Sequence, residues 1–229
     1  YDLIEDLTGA RLTTSYTRVG GVAHDATAEW LKRLREFVDV MPGRIDDYET
    51  LLTKNTIWLK RTQGVGRMTA KEALSYGVTG PVLRASGVSY DVRKAKPYLG
   101  YQNYDFEIPV GAEGDVYDRY LVRIEEMRQS VKILDQALKT IPGGPVNIDD
   151  PKIFLPVKSK VLSSMEELIH QFMIVTEGFT CPPGEVYVAT EVPKGELGFY
   201  IVSEGGKSPY RCRIRSSAFN NLASLQHQV

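Results

Sequence analysis

Between Val116 and Leu138, apolar side chains recur at Val116, Tyr120, Ile124, Met127, Val131, Leu134 and Leu138, in steps of three and four. That spacing lies along one face of an α-helix and matches neither face of a strand. Asp115 or Gly114 caps its start, and Pro142-Gly143-Gly144-Pro145 stops it. A helix over 115–140 is roughly 39 Å long at about 1.5 Å per residue. It runs the width of a domain, so the rest of the chain has to be arranged around it as a spine.

The remaining elements follow from similar signals. Trp30, Leu34, Phe37, Val38 and Met41 predict a helix over Ala26–Met41, with Asp25 as its N-cap. Pro42-Gly43 is expected to break or kink that run, and Ile45, Tyr48, Leu51 and Leu52 predict a second helical stretch beyond it. Thr69-Ala70-Lys71-Glu72 reads as a capping box opening a short helix that ends at Gly77. Residues 79–114 are rich in Gly, Pro and Tyr and show no helical period, which predicts a long structured loop, a kind of segment that is usually functional. Asp149–Pro156 reads as a linker. Ser163–Glu167 reads as a second capping box, opening a helix lined by Leu168, Phe172 and Val175 and ended by Gly178. Strand-like runs close the chain at Glu185–Thr190, Leu197–Ser203 and Tyr210–Arg215, with a hairpin signal at Glu204-Gly205-Gly206-Lys207. The fold class is α+β and mainly helical: one body, helical over 1–178, with a small antiparallel sheet in a β region over 179–229.

Several function classes are disfavoured at this level. Lys plus Arg is 28 against 29 for Asp plus Glu, so no electrostatic footprint for nucleic acid is present. No run of about 18 apolar residues exists to span a bilayer. Cys181 and Cys212 belong to no C-x-x-C pair, so neither a disulfide framework nor a thiolate metal site is indicated. His24, His170 and His227 share no helical face and form no ligand spacing, and Gly64-Val65-Gly66 lacks the strand and third glycine of a phosphate loop. Both ends, at Tyr1 and at Leu225–Val229, read as cuts within a longer protein.

Three segments carry possible chemistry. Arg84, Asp91 and Arg93 lie in the long loop; residue chemistry favours an internal salt bridge over a recognition edge. Pro193-Lys194-Gly195-Glu196-Leu197-Gly198 has glycines that let a backbone approach something closely. Arg211, Arg213 and Arg215 alternate along one face of a strand, as a solvated basic edge or as a contact for an acidic or cluster-bearing partner.

The longer motifs are specific. Tyr16-Thr17-Arg18-Val19-Gly20-Gly21-Val22, Leu83-Arg84-Ala85-Ser86-Gly87-Val88-Ser89-Tyr90-Asp91-Val92-Arg93-Lys94, and Gly114-Asp115-Val116-Tyr117-Asp118-Arg119 stand in that order, followed by Thr176-Glu177-Gly178-Phe179, Pro183–Tyr187, Lys194–Ser203 and Pro209-Tyr210-Arg211. Together they resemble, from end to end, the hydrogenase-like large subunit of respiratory complex I, the D-subunit of NADH:quinone oxidoreductase.

That resemblance implies a fold like the large subunit of NiFe hydrogenases. It implies a peripheral-arm subunit packed against the small subunit that carries the terminal iron–sulfur cluster, with quinone bound between the two. Electrons then come from NADH through FMN and clusters held elsewhere, coupled to proton translocation, and this chain binds no metal or cofactor. The other implied partners are the remaining peripheral-arm subunits and, indirectly, the membrane arm, on the cytoplasmic side of a bacterial inner membrane. No catalytic residue carries over. Lys194 and Glu196 match a segment near the quinone cavity, and Arg84, Asp91, Arg93, Arg211 and Arg213 match segments near the subunit interface. At Thr13 many relatives carry a His near the terminal cluster, so the resemblance does not carry the proton coupling linked to that His over to this chain. The fragment alone is expected to be colourless, metal-free and inactive with NADH. An energy-converting NiFe hydrogenase subunit is the rival; it requires thiolate pairs that Cys181 and Cys212 do not form. A non-catalytic scaffold is the other.

Overall fold

A computed structural model describes residues 1–150 and 152–228. The chain begins with α1 (Asp2–Thr8), a two-residue hairpin of β1 (Thr17–Arg18) and β2 (Gly21–Val22), and α2 (Ala28–Leu52). Short helices α3 (Thr56–Thr62), α4 (Ala70–Ser75), α5 (Pro81–Ala85) and α6 (Val92–Ala95) precede the spine α7 (Val116–Thr140). After it come α8 (Lys158–Val161), α9 (Met165–Thr176), strands β3 (Gly184–Val192), β4 (Gly195–Ser203) and β5 (Arg211–Arg215), and helices α10 (Ser217–Ala223) and α11 (Leu225–Gln228). The last three strands form one antiparallel sheet in the order β3-β4-β5. The α+β, mainly helical class therefore stands. The expected linker Asp149–Pro156 includes Pro151, and the expected cut end includes Val229; those two residues lie outside the described ones.

By internal contacts the chain divides into two compact units. The first comprises Tyr1–Glu36, Ile141–Glu185 and Ile201–Arg211. Here the Gly20-Gly21 pair of the β1–β2 hairpin is pressed against residues 146–148. A Cβ on Gly21 would sit 2.2 Å from the Val146 carbonyl oxygen, and Ile148 N–H donates to Gly20 O at 2.8 Å. α1 is tied down by Trp30 Nε1, which donates to Leu3 O at 2.7 Å. The N-cap of α2 is Thr27, whose Oγ1 accepts from Trp30 N–H. The expected cap, Asp25, instead accepts from Ala26. The capping box expected at Ser163–Glu167 is not formed: Ser164 sits at the cap position of α9 without a side-chain bond. α9 has no buried residue, and Phe172 and Val175 are exposed. An amphipathic period specifies a helix, whereas burial depends on what packs against it.

The second unit comprises Phe37–Thr140, Val186–Tyr200 and Cys212–Val229. α2 continues through Pro42 as one helix, so of the break or kink expected at Pro42-Gly43 the break does not occur. Pro removes a single helical donor, and apolar anchoring on both sides, at Val38 and Ile45, holds the helix together. α7 starts where expected: Asp115 Oδ1 accepts from Asp118 N–H at 2.8 Å, and its Oδ2 accepts from Gly64 N–H at 2.7 Å. Asp118 in turn takes the amides of Ala112 and Glu113. Arg119 donates to the carbonyls of Gly66 and Gly114. The Asp-Arg pair at the start of the spine is therefore a clamp on the preceding loop.

The long loop contains α5, α6 and a 3-10 turn at Tyr101–Asn103. Helices of four or five residues cannot display a 3.6-residue period, which is why the sequence pattern reads as loop. All five residues of α5 are buried, and the apolar core gathers Met68, Ala73, Val78, Val82 and Leu83, with Val88 and Tyr90 packed on it. The capping box at Thr69–Glu72 is formed in both directions. Thr69→Ala should lower stability by about 1 kcal/mol, measured by denaturant unfolding; Thr69→Ser should restore most of it.

Candidate functional site

The buried end of α5 points a charged side chain into the second unit. Arg84 is 2% exposed, yet it is surrounded by carboxylates. Its Nε donates to Glu126 Oε1 of α7 at 2.7 Å, and its Nη1 donates to Glu191 Oε1 of β3 at 3.0 Å and to the Tyr90 carbonyl at 2.8 Å. Asp91, also 2% exposed, lies 3.6 Å from the same nitrogen. Asp91 is held in turn by a two-pronged Arg93 guanidinium, with Nε to Oδ1 at 3.0 Å and Nη2 to Oδ2 at 2.7 Å. Arg93 stacks over Phe106, 4.9 Å from the ring centre. One guanidinium thus ties together α5, α7, β3 and the start of α6.

Burial dominates the electrostatics. It pushes the carboxyl groups of Glu126 and Glu191 above the usual glutamate range, against the opposing pull of Arg84. At Asp91 burial also acts upward, but the Arg93 hydrogen bonds and the charges of Arg93 and Arg84 outweigh it and hold the carboxyl below the usual range. A depressed carboxylate contributes stability above its unfolded pKa and loses it as pH falls through the folded value. Asp91→Asn keeps the cap on α6 and removes the charge. It should lower stability at pH 7 by about 2 kcal/mol, and the gap from the parent should close as pH falls below about 4. Thermal unfolding midpoints of both proteins across pH read this out; a gap independent of pH would contradict it.

The second group of residues surrounds the β3–β4 turn. Gly195 and Gly80 bring two backbones together so closely that a Cβ on Gly195 would lie 2.6 Å from Thr79 C and 2.7 Å from Gly80 N. Glu196 N–H donates to Thr79 Oγ1 at 3.1 Å, and Asn221 Nδ2 donates to Lys194 O at 3.0 Å. The close approach expected of these glycines is thus with residues 79–80. The Glu196 side chain takes two phenols: Tyr90 OH to Oε2 at 3.0 Å and Tyr187 OH to Oε1 at 2.6 Å. Burial, and then the bond to Glu196, push the Tyr90 phenol up to about 12. Beside them Leu74, Val78, Leu83, Val88, Tyr90 and Arg215 line a cavity of about 250 Å³.

Of the residues singled out from sequence, Arg84, Asp91 and Arg93 come together, and Glu196 joins their surroundings through Tyr90. The Lys194 side chain is exposed and makes no ion pair among the described residues. Arg211 and Arg213 are exposed on β5, while Arg215 on the same face turns to the carbonyls of Glu196 and Gly77. Glu126, Glu191 and Tyr187 were missed. A signal for Glu126 existed: it continues the buried face of α7 through Arg119, Val122 and Ile133. Tyr187 closes the Pro183–Tyr187 motif with no sign of its partner, and Glu191, four residues on along the same strand, has nothing in the sequence to mark it. No three His, Cys, Asp or Glu side chains converge as metal ligands among the described residues.

Comparison with known proteins adds an independent observation. The model of the family described as respiratory-chain NADH dehydrogenase, 49 Kd subunit, matches residues 1–229. The NADH-quinone oxidoreductase D-subunit of Methylacidiphilum infernorum is 57% identical over 98% of this chain and 54% of its own length. The D-subunit numbered 1 of Opitutus terrae is 56% identical over 97% and 53%, and the D-subunit of Geotalea uraniireducens 52% over 98% and 58%. The chain thus spans about half the length of the curated relatives it matches.

Proposed function

This chain belongs to the family of the 49 kDa subunit of the respiratory-chain NADH dehydrogenase, and from that premise we propose that it serves as a subunit of an NADH:quinone oxidoreductase, forming part of a wall of the quinone site. The observation that carries the reading is the family match along the whole chain. The bolted β3–β4 turn, which brings Lys194 and Glu196 to a fixed place, adds geometric support.

On this reading the fold is that of a NiFe-hydrogenase large subunit. The chain packs against the small subunit holding the terminal iron–sulfur cluster, and electrons reach quinone from NADH through FMN and clusters bound by other subunits. Quinone reduction takes up two electrons and two protons. This chain's contribution is placement and charge: the Lys194 ammonium faces negative charge that develops on a headgroup oxygen, and the Glu196 carboxylate, held from behind, fixes the turn. Arg211 and Arg213 face the neighbouring subunit. Arg84, Asp91 and Arg93 act from within, keeping the loop and the sheet in register. The subunit is peripheral, on the cytoplasmic side of a bacterial inner membrane. No helix among the described residues is long and apolar enough to cross one.

Immunoprecipitation from native membranes with an antibody to this chain tests the proposal. Flavin, iron and inhibitor-sensitive NADH-dependent quinone reduction in the pellet are the expected result. Nickel with hydrogen-dependent activity would make the assembly a hydrogenase, and neither activity would leave a scaffold.

A further inference from the structure

Glu196 is an unusual acceptor. Each of its two carboxylate oxygens takes one phenol, Tyr90 from the loop before α6 and Tyr187 from β3, while its own amide is bound by Thr79 and its own carbonyl by Arg215. Every polar group of the residue is thereby directed by a different stretch of chain. The arrangement is also made room for. A Cβ at Gly198 would lie 2.2 Å from the Tyr187 hydroxyl and 2.6 Å from Cζ, so the phenol lies over Gly198 and reaches Glu196 because that position has no side chain.

Tyr90 is fixed at its other end as well. Its carbonyl accepts from Arg84, and its ring packs on the core of Met68, Ala73, Val78, Val82 and Leu83. The carboxylate that follows Lys194 by two residues is therefore linked through one residue, by the Tyr90 phenol on one side and the Tyr90 carbonyl on the other, to the buried ion cluster.

We propose that Tyr90 and Tyr187 are positioning residues that hold the Glu196 carboxylate, one phenol to each oxygen, and so set the turn beginning at Lys194 for quinone reduction. This rests on the reading that places the turn at the quinone site. Removing either donor frees one carboxylate oxygen and loosens the hold on the side chain.

The test uses the intact complex purified from cells whose subunit carries Tyr90→Phe, Tyr187→Phe, both, Glu196→Gln, or Glu196→Gln combined with each tyrosine change. Rates of NADH-dependent quinone reduction are measured with a short-chain quinone, and kcat and KM are separated. Each single tyrosine variant should lower kcat/KM by about fivefold, and the double variant further. In the Glu196→Gln background, which already lacks the carboxylate the phenols hold, the tyrosine changes should have little further effect. Equal losses with and without the Glu196 carboxylate, or no loss at all, would overturn the positioning role. If Glu196→Gln itself leaves rate and KM as in the parent, the placement of the turn at the quinone site fails, and the proposal built on it fails with it. The two failures are told apart by which variant is silent.

Discussion

Arg84→Ala should lower the stability of this protein by about 3–5 kcal/mol, the range found when one partner of a buried ion pair is removed. That is a large share of the roughly 5–15 kcal/mol that holds a domain folded, so little folded protein should accumulate at 37 °C. The change leaves Asp91, Glu126 and Glu191 facing one another, with Asp91 and Glu191 only 2% and 6% exposed and Glu126 19%. Arg93 remains to pair Asp91, and Arg123 and Arg93 still act on Glu126 from farther away, but among the described residues no other cation lies within ion-pairing distance of Glu126 or Glu191. The deficit should narrow as the solution is acidified, because a protonated carboxyl needs no counter-charge. Arg84→Lys should fall between, since an ammonium keeps the charge but cannot reach Glu126, Glu191 and the Tyr90 carbonyl at once with a planar fork. Replacing Arg84 by Met together with Glu126→Gln and Glu191→Gln should recover part of the loss. Denaturant unfolding of the set at two pH values measures all of this, and equal midpoints for Arg84→Ala and the parent would refute the account.

Gly195→Ala should cost about 3 kcal/mol or more, combining backbone strain with overpacking. The residue has φ of +123°, and the added carbon would lie 2.5 Å from Thr79 Oγ1 and 2.6 Å from Thr79 C. A hydroxyl rotates away, but two backbones do not. The turn must lift from residues 79–80, breaking the bond from Glu196 N–H to Thr79. Amide exchange at Glu196 should accelerate accordingly. Gly143→Ala is the control: its φ is not in the left-handed region and nothing lies within 4 Å of the new carbon, so its effect should stay within about 0.5 kcal/mol. If both variants unfold together, the close approach at Gly195 carries no energetic weight.

The local elements were legible for local reasons. The spine over 116–140 needs only its own apolar spacing and an Asp at its start, and the box at Thr69–Glu72 needs only four consecutive residues. The continuity of α2 through Pro42 was not legible, because a missing helical donor is visible in sequence while the burial of Val38 and Ile45 that offsets it is not. Of the apolar seam that marks α7, Ile124 alone is fully buried; the rest are partly covered, and Arg119, Val122 and Ile133 are buried in addition. The period shows that a helix exists and roughly which way it faces, but not which neighbour covers which turn.

The candidate site divides in the same way. From the sequence alone come the α+β class, the capped helices, the closing strands, the glycines required at the turn, and the presence of Arg84, Asp91 and Arg93 close together along the chain. Only the tertiary structure decided that Arg84 is buried, that its partners are Glu126, 42 positions away, and Glu191, 107 positions away, and that Glu196 lies between two phenols. Capping and periodicity act within one turn or one strand, so nearby residues record them. A charge buried in a low-dielectric interior has to be matched by whatever the fold brings within a few ångströms, and that distance is unrelated to separation along the chain.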